Sequence, residues 1–153
     1  MMTIGIDPGI SGAVVALENG APVEWLRMPV MSGGGKSRRV NAAALAAWIA
    51  GRAPAAAFVE AVGAMPGQGV SSMFTFGRAA GAVDGVLGAL GVPVTYLTPQ
   101  AWKRAAGLIG KDKDAARGRA VQIWPAWRAL DKKGEGQALA DAALIAWAGG
   151  KAC

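Results

Sequence analysis

Three acidic residues sit inside apolar runs, and any fold of this chain must dispose of them. Asp7 closes Met2-Thr3-Ile4-Gly5-Ile6, Glu60 closes Ala55-Ala56-Ala57-Phe58-Val59, and Asp141 lies within Ala138-Leu139-Ala140-Asp141-Ala142-Ala143-Leu144-Ile145-Ala146. Burying a lone carboxylate is costly unless something offsets the lost hydration. No Lys or Arg lies within three positions of any of them, so local pairing does not help. A divalent cation held between all three is one compensation. Separate capping or partial exposure of each acid is the competing one.

Residue usage narrows the chemistry. The chain has no histidine and a single cysteine, Cys153. Imidazole bases, histidine or cysteine zinc sites and an internal disulfide are therefore excluded. Carboxylates, lysines, hydroxyls and bound ions remain. Without His or Cys, three converging acids favour Mg²⁺ or Mn²⁺, which prefer hard oxygen ligands. Two such ions about 3.5–4 Å apart can clamp the attacking and leaving oxygens of a phosphodiester.

The net charge of +6 is unevenly spread. Lys103, Arg104, Lys111, Lys113, Arg117, Arg119, Arg128, Lys132 and Lys133 face only Asp112, Asp114 and Asp131 along the same stretch. A second basic cluster, Lys36-Ser37-Arg38-Arg39, follows Gly33-Gly34-Gly35. Basic clusters beside buried acids suit a polyanion brought to a cation site; a solvated, solubilising surface is the alternative, and charge alone does not separate the two. No apolar stretch approaches the roughly 20 residues of a membrane span. The start Met1-Met2-Thr3-Ile4 lacks a basic leader and runs into a strand, which gives the expectation of a cytoplasmic protein.

At 153 residues the length suits one domain, 1–153. Strands are expected at 2–7, 12–18 and 22–28, the last two joined by Asn19-Gly20, a hairpin signal because both turn positions need positive φ. Residues 30–37 read as a mobile Gly/Ser-rich loop. A helix over about 40–52 takes Asn41 as its cap. A buried strand at 55–60 precedes a glycine-rich loop at 62–70, and a long helix capped by Ser71 or Ser72 runs to about 90. A strand at 92–97, a short helix from Thr98-Pro99, a basic helix at 112–123 and a last helix at 135–148 follow. The order β-β-β-α-β-α-β-α-α predicts an α/β fold with a five-stranded mixed sheet, three strands antiparallel and two parallel, and helices on both faces. Asp7 and Glu60 both end parallel-type strands, and sites gather at such carboxyl ends in open α/β sheets. At about 100° per residue, Asp141 shares the apolar face of the last helix with Gln137, Ala138, Leu144, Ile145 and Ala148, and so points at the sheet.

Gly5-Ile6-Asp7-Pro8-Gly9 with Ser11-Gly12, then Val59-Glu60, then Ala140-Asp141-Ala142-Ala143-Leu144-Ile145-Ala146 resemble the acidic motifs of RuvC-type Holliday junction resolvases, which have the RNase H-like fold. Met65-Pro66-Gly67-Gln68-Gly69-Val70-Ser71-Ser72-Met73-Phe74-Thr75-Phe76-Gly77-Arg78 and Thr98-Pro99-Gln100-Ala101-Trp102-Lys103 resemble the phage-type branch. The resemblance spans about residues 4 to 148. It implies a Mg²⁺-dependent homodimer, with Mn²⁺ as a substitute and two ions per site, that cuts opposed strands of four-way DNA junctions. Asp7, Glu60 and Asp141 match the family's metal-binding acids. Lys103 and one of Lys111 or Lys113 match its basic positions. The segment 65–74 corresponds to the one that enters the junction, where Met73, Phe74 or Phe76 can stack on unpaired bases. Gly9, Ser11, Gln68, Arg78, Arg117, Arg119 and Gln137 are further candidates for DNA contact.

One departure stands out. Many relatives carry a fourth acid or a histidine one turn before the last aspartate, and this chain has Gln137-Ala138 there, with Glu135 nearby. Gly77, Gly81 and Gly85 recur at four-residue spacing on the long helix, which suits either packing on the sheet or a two-fold helix contact. Trp124 reads as core, Trp127 as core or nucleic-acid contact, and Asp84 as surface or interface. The rival functions are another RNase H-fold nuclease acting on RNA/DNA hybrids, an actin-like phosphotransferase for which the chain is too short, and a junction-binding protein that does not cut.

Overall fold

The computed structural model describes residues 1–152; Cys153 lies outside them. Five strands form the main sheet in the order β3-β2-β1-β6-β7: β1 (Met2–Asp7), β2 (Ala13–Glu18), β3 (Ala21–Arg27), β6 (Ala56–Glu60) and β7 (Val94–Leu97). The first three are antiparallel, and β6 and β7 extend the sheet in parallel from β1. This is the expected mixed sheet. The β2–β3 turn has Asn19 at φ 52° and Gly20 at φ 80°, the two positive values its sequence called for.

Alternation along the strands sorts their side chains between two cores. Ile4, Ile6, Val14, Ala57 and Val59 face α1 (Ala42–Ala50) and α2 (Val70–Ala89). Val15 and Phe58 face the other layer, made by α3 (Pro99–Ala106), α4 (Ala115–Ile123) and α5 (Lys133–Ala152). By the same parity Gly5, Asp7 and Glu60 belong to the α5 side.

Caps explain several boundaries. Asn41 Oδ1 accepts the Ala44 N–H at 3.1 Å and Thr98 Oγ1 accepts that of Ala101 at 3.2 Å, while Gly107 ends α3 in the left-handed region at φ 74°. Other expectations are corrected. Helix α2 starts after Gly69 with no side-chain cap, so neither Ser71 nor Ser72 has that role. Helix α4 begins only after Asp114. The segment read as a mobile loop forms a second small sheet, β4 (Val30–Ser32) paired with β5 (Arg38–Val40), because Met28 and Val40 anchor its base in the core. Helix α5 begins at Lys133, after a 3₁₀ turn over Arg128–Asp131, and continues through Gly149-Gly150. A Cβ at position 149 would overlap the ring of Phe58, so the glycine there serves close packing rather than helix termination.

Helix α5 lies directly on β1. A Cβ on Gly5 would lie only 2.0 Å from the Ala142 carbonyl oxygen and 2.8 Å from Ala146 Cβ. Gly5→Ala should therefore destabilise the protein by about 1–3 kcal/mol or more through overpacking. Gly118→Ala, in α4 with open space around it, should be neutral or stabilising by up to about 1 kcal/mol. Denaturant midpoints of the two variants check this; equal midpoints would mean that α5 does not press on β1.

Candidate active site

Strand β1 delivers Asp7 to the carboxyl end of the sheet, and the parallel register Ile6↔Val59 sets Glu60 beside it. Gly5 lets α5 close on β1, which brings Asp141, the residue before Ala142, over the same edge. Asp7, Glu60 and Asp141 line one cleft of about 310 Å³ together with Trp102, Lys103, Leu108, Lys111, Asp112, Lys113, Ala116 and Gln137. Both Lys111 and Lys113 thus reach the cleft. Larger hollows exist, such as the one of about 450 Å³ between α2 and the 61–64 segment. Only the smaller one gathers the acids and lysines, so chemistry rather than size selects it.

Each acid is steadied by a neutral donor. The Gly9 N–H approaches Asp7 Oδ1 at 3.5 Å, Trp102 Nε1 donates to Glu60 Oε2 at 2.6 Å, and Gln137 Nε2 donates to Asp141 Oδ1 at 3.2 Å. These contacts do not cancel the cost of burial. Burial raises the Asp7 carboxyl above its ordinary range, against the Gly9 contact and the charge of Arg27. Burial also raises Glu60, with the negative charge of Asp7 adding to it and Trp102 and Lys103 opposing. Asp141 is pushed up to about 7, first by burial, then by the charge of Asp7 and, less, by that of Glu60. The three acids therefore feel one another as well as the apolar surroundings.

Among the described residues no group of three Asp, Glu or Cys side chains is gathered as a closed set around one point. The side-chain atoms that could act as ligands nonetheless suit a hard cation. They are all oxygens, and Gln137 Oε1 is buried in the same cleft with no hydrogen-bond partner. Gln137 rather than Glu135 faces the acids; Glu135 lies 3.9 Å from Lys132 instead.

The other candidates fall into groups. Gly9 and Ser11 form the turn after Asp7, where the Gly9 N–H is directed at Asp7 rather than outward. Met73 is half-buried and Phe74 is 65% exposed, with Arg78 5.6 Å from its ring. Gln68 is exposed beside them. Arg117 is placed differently from the expectation: its guanidinium donates to the carbonyls of Leu130 and Asp131, tying α4 to the 3₁₀ turn. Arg119 bonds Gln122 and lies 6.0 Å from the Trp147 ring. Neither arginine lines the cleft. Trp124 and Trp127 are both buried core, stacked edge to face at 5.9 Å. Sequence reasoning missed Trp102 as the donor to Glu60 and Arg27 as a cation whose charge acts on Asp7. Trp102 directly precedes Lys103, and that adjacency was the available signal.

No family model matches the chain, and no curated protein matches its sequence. Solved structures do. Thermus thermophilus RuvC in complex with Holliday junction substrate superposes with a TM-score of 0.67 over 97% of this chain and 91% of that one, at 22% identity. Another Thermus thermophilus RuvC structure gives a TM-score of 0.59 and 26% identity, over 97% of this chain and 92% of that one. The chain has the RuvC-type, RNase H-like fold.

Asp141 provides a test of the site's electrostatics. Its carboxyl titrates at about 7 when folded and at 3.8 otherwise, so the folded state holds the extra proton between these values. Stability is fully present below the lower value and is lost as pH rises through the upper one. In divalent-free buffer, Asp141→Asn should raise the melting temperature more at about pH 8 than at about pH 4. An increment that does not change with pH would show that Asp141 is not forced to ionise in this cleft.

Proposed function

We propose that this chain is a structure-selective endodeoxyribonuclease that resolves four-way DNA junctions by metal-dependent phosphodiester hydrolysis. The observation that carries this reading is the convergence of Asp7, Glu60 and Asp141 with Lys103 in one cleft of a RuvC-type fold. A solved neighbour of that fold is described with a Holliday junction as its substrate. The resemblance of the motifs at Met65–Arg78 and Thr98–Lys103 to the phage-type branch supports this reading.

Asp7, Glu60 and Asp141 would hold Mg²⁺, or Mn²⁺ in its place, with the unpartnered Gln137 Oε1 completing the oxygen set. Bound ions there supply a water nucleophile near neutral pH and neutralise the leaving oxygen. The chain's own groups do the positioning. Trp102 holds the Glu60 carboxylate and Gln137 that of Asp141. Lys103 is exposed at the mouth of the cleft, near enough to Glu60 and Asp141 to lower both their pKa values. It would grip a non-bridging oxygen of the scissile phosphate, with Lys111 and Lys113 on the flanking ones. Phe74 would stack on an unpaired base at the branch point.

A homodimer would present two such clefts to opposed strands. Helix α2 fits that role. Its buried residues Ala79, Val83, Val86 and Leu87 face the sheet, whereas Gly77, Gly81 and Gly85 face outward with open space beyond them. Interior glycines cost a helix about 1 kcal/mol each relative to alanine, and close approach of a second α2 would offset that cost.

The deciding experiment is a nicking assay on synthetic four-way junctions, beside linear duplex, single strands and RNA/DNA hybrids, with Mg²⁺, Mn²⁺ or neither. Metal-dependent, paired nicking of the junction alone is expected. Binding without cutting under every condition would favour a second reading, a non-cleaving junction binder, which draws on the neutral Gln137 at the acids. Preferred cutting of the hybrid would favour an RNase H-like activity instead.

Asp7→Asn, Glu60→Gln and Asp141→Asn should each abolish nicking while leaving junction affinity within about threefold, because neutral isosteres remove ligand charge without opening the fold. Wild-type nicking by any one of them would remove that residue from the site. Lys103→Ala should lower the single-turnover rate by about 10²-fold or more with little change in binding, as befits a group acting on the charge of the reacting phosphate. A loss of affinity alone would return Lys103 to the general basic surface.

A further inference from the structure

The basic cluster Lys36-Ser37-Arg38-Arg39 has no part in the cleft, yet the fold builds a distinct element to carry it. Strands β4 and β5 pair through Val30↔Val40, Met31↔Arg39 and Ser32↔Arg38. The tip is closed by its own bonds: Gly33 N–H to the Ser37 carbonyl at 2.9 Å, Ser37 N–H to the Gly34 carbonyl at 3.2 Å, and Ser37 Oγ to the same Gly34 oxygen at 2.8 Å. Gly34 and Gly35 take the left-handed conformations this turn requires, φ 98° and 59°.

Sheet register locates the hairpin relative to the acids. Asp7 pairs with Ala13, and Ala13 pairs with Arg27 at the end of β3. The Met28 N–H donates to the Gly12 carbonyl, and the Arg27 guanidinium donates to the carbonyls of Ser11 and Gly12 in the turn that follows Asp7. The hairpin therefore springs from the same end of the sheet as the active site. Its root is two strand spacings from Asp7, about 10 Å.

Its charge is unopposed. No Asp or Glu occurs between Glu24 and Glu60. Lys36, Arg38 and Arg39 are exposed, and among the described residues none of them takes part in an ion pair. Four basic residues elsewhere are paired, Arg52 with Glu24, Arg128 with Asp131, Lys132 with Glu135 and Lys133 with Asp114, whereas the hairpin has no acid within reach along its own segment. Because successive strand residues point to opposite faces, Arg38 and Arg39 charge both sides of the ribbon. A major groove about 12 Å wide admits a two-stranded ribbon, and cations on both of its faces meet the phosphates on either side.

We infer that the β4–β5 hairpin is a second DNA-binding element, which grips the backbone phosphates of the duplex arm next to the scissile strand through Lys36, Arg38 and Arg39. The contact is independent of sequence, since phosphates position a protein on DNA and base edges specify where. It also fixes which arm lies over Asp7. This inference rests on the junction-resolving reading given above and adds a surface to it.

The test measures junction affinity by fluorescence anisotropy between about 50 and 200 mM salt. Asp7→Asn is present throughout so that the DNA stays intact. Each phosphate contact contributes about 0.9 to the slope of log K against log salt. Replacing Lys36, Arg38 and Arg39 together by Gln should lower that slope by about 2–3 with an unchanged melting temperature. A second variant, Arg38→Glu with Arg39→Glu, should weaken binding further. Both differences should vanish on a junction whose arm beside the cleavage site is trimmed to a few base pairs. If the parent protein binds and the Gln variant keeps its slope, the hairpin does not touch the arm and the inference fails, while the junction reading stands. If the parent protein does not bind junctions at all, both fall.

Discussion

The backbone-to-backbone contact of α5 on β1 at Gly5 is the constraint on which the rest of the site depends. No side chain can occupy that position, because the Ala142 carbonyl and the Ala146 methyl fill the space. The approach is continued at Gly149, which lies against the Phe58 ring on β6. Ala138, Ala142 and Ala146 share that face of the helix and keep it thin, and all three are buried. A helix held this close can set a carboxylate on its own surface beside carboxylates on two strand ends. A bulkier interface would lift Asp141 away from Asp7 by the width of a side chain.

That geometry is electrostatically unfavourable by itself. Burial raises the affinity of all three acids for protons, and the charge of Asp7 adds to it at Glu60 and, with that of Glu60, at Asp141. The fold provides neutral donors rather than salt bridges as partners: the Trp102 indole, the Gln137 amide and the Gly9 backbone. A neutral donor orients a carboxylate without cancelling its charge. Among the described residues no cation pairs with the acids inside the cleft, and Lys103, Lys111 and Lys113 line it beside them. This arrangement has the character of a functional site rather than a stability device, since a buried ion pair would have been cheaper to hold.

Basic residues divide by what they touch. Arg117 is used internally, as a clamp on the carbonyls of Leu130 and Asp131. Arg52 stacks 3.9 Å over Trp48 and pairs with Glu24. Lys103, Lys111 and Lys113 face the cleft, and Lys36, Arg38 and Arg39 stand on a separate ribbon. A net charge alone does not distinguish these roles. Lys and Arg have long apolar stems and many donors, so the same residue type serves as well in packing as in binding polyanions.

Much of the molecule was legible in the order of residues. Strand alternation, the Asn19-Gly20 turn, the Asn41 and Thr98 caps and the acids at strand ends follow from local rules that operate over a few residues. They led to the mixed sheet, the helices on both faces and the three acids, and the solved RuvC structures have the same fold. The apolar face of α5 also showed that Asp141 points inward. What the sequence left open depends on contacts between distant segments. Trp102 reaches Glu60 across 42 positions, and Trp124 reaches the Gly20 carbonyl across 104. The choice of Gln137 over Glu135, the use of Arg117 as a clamp and the ordered hairpin at 30–40 were likewise decided by tertiary packing. Local sequence sets which conformations a segment can adopt and which face it buries. Only the assembled fold determines which side chains from separate segments meet there, because that depends on how closely the helices and the sheet can approach.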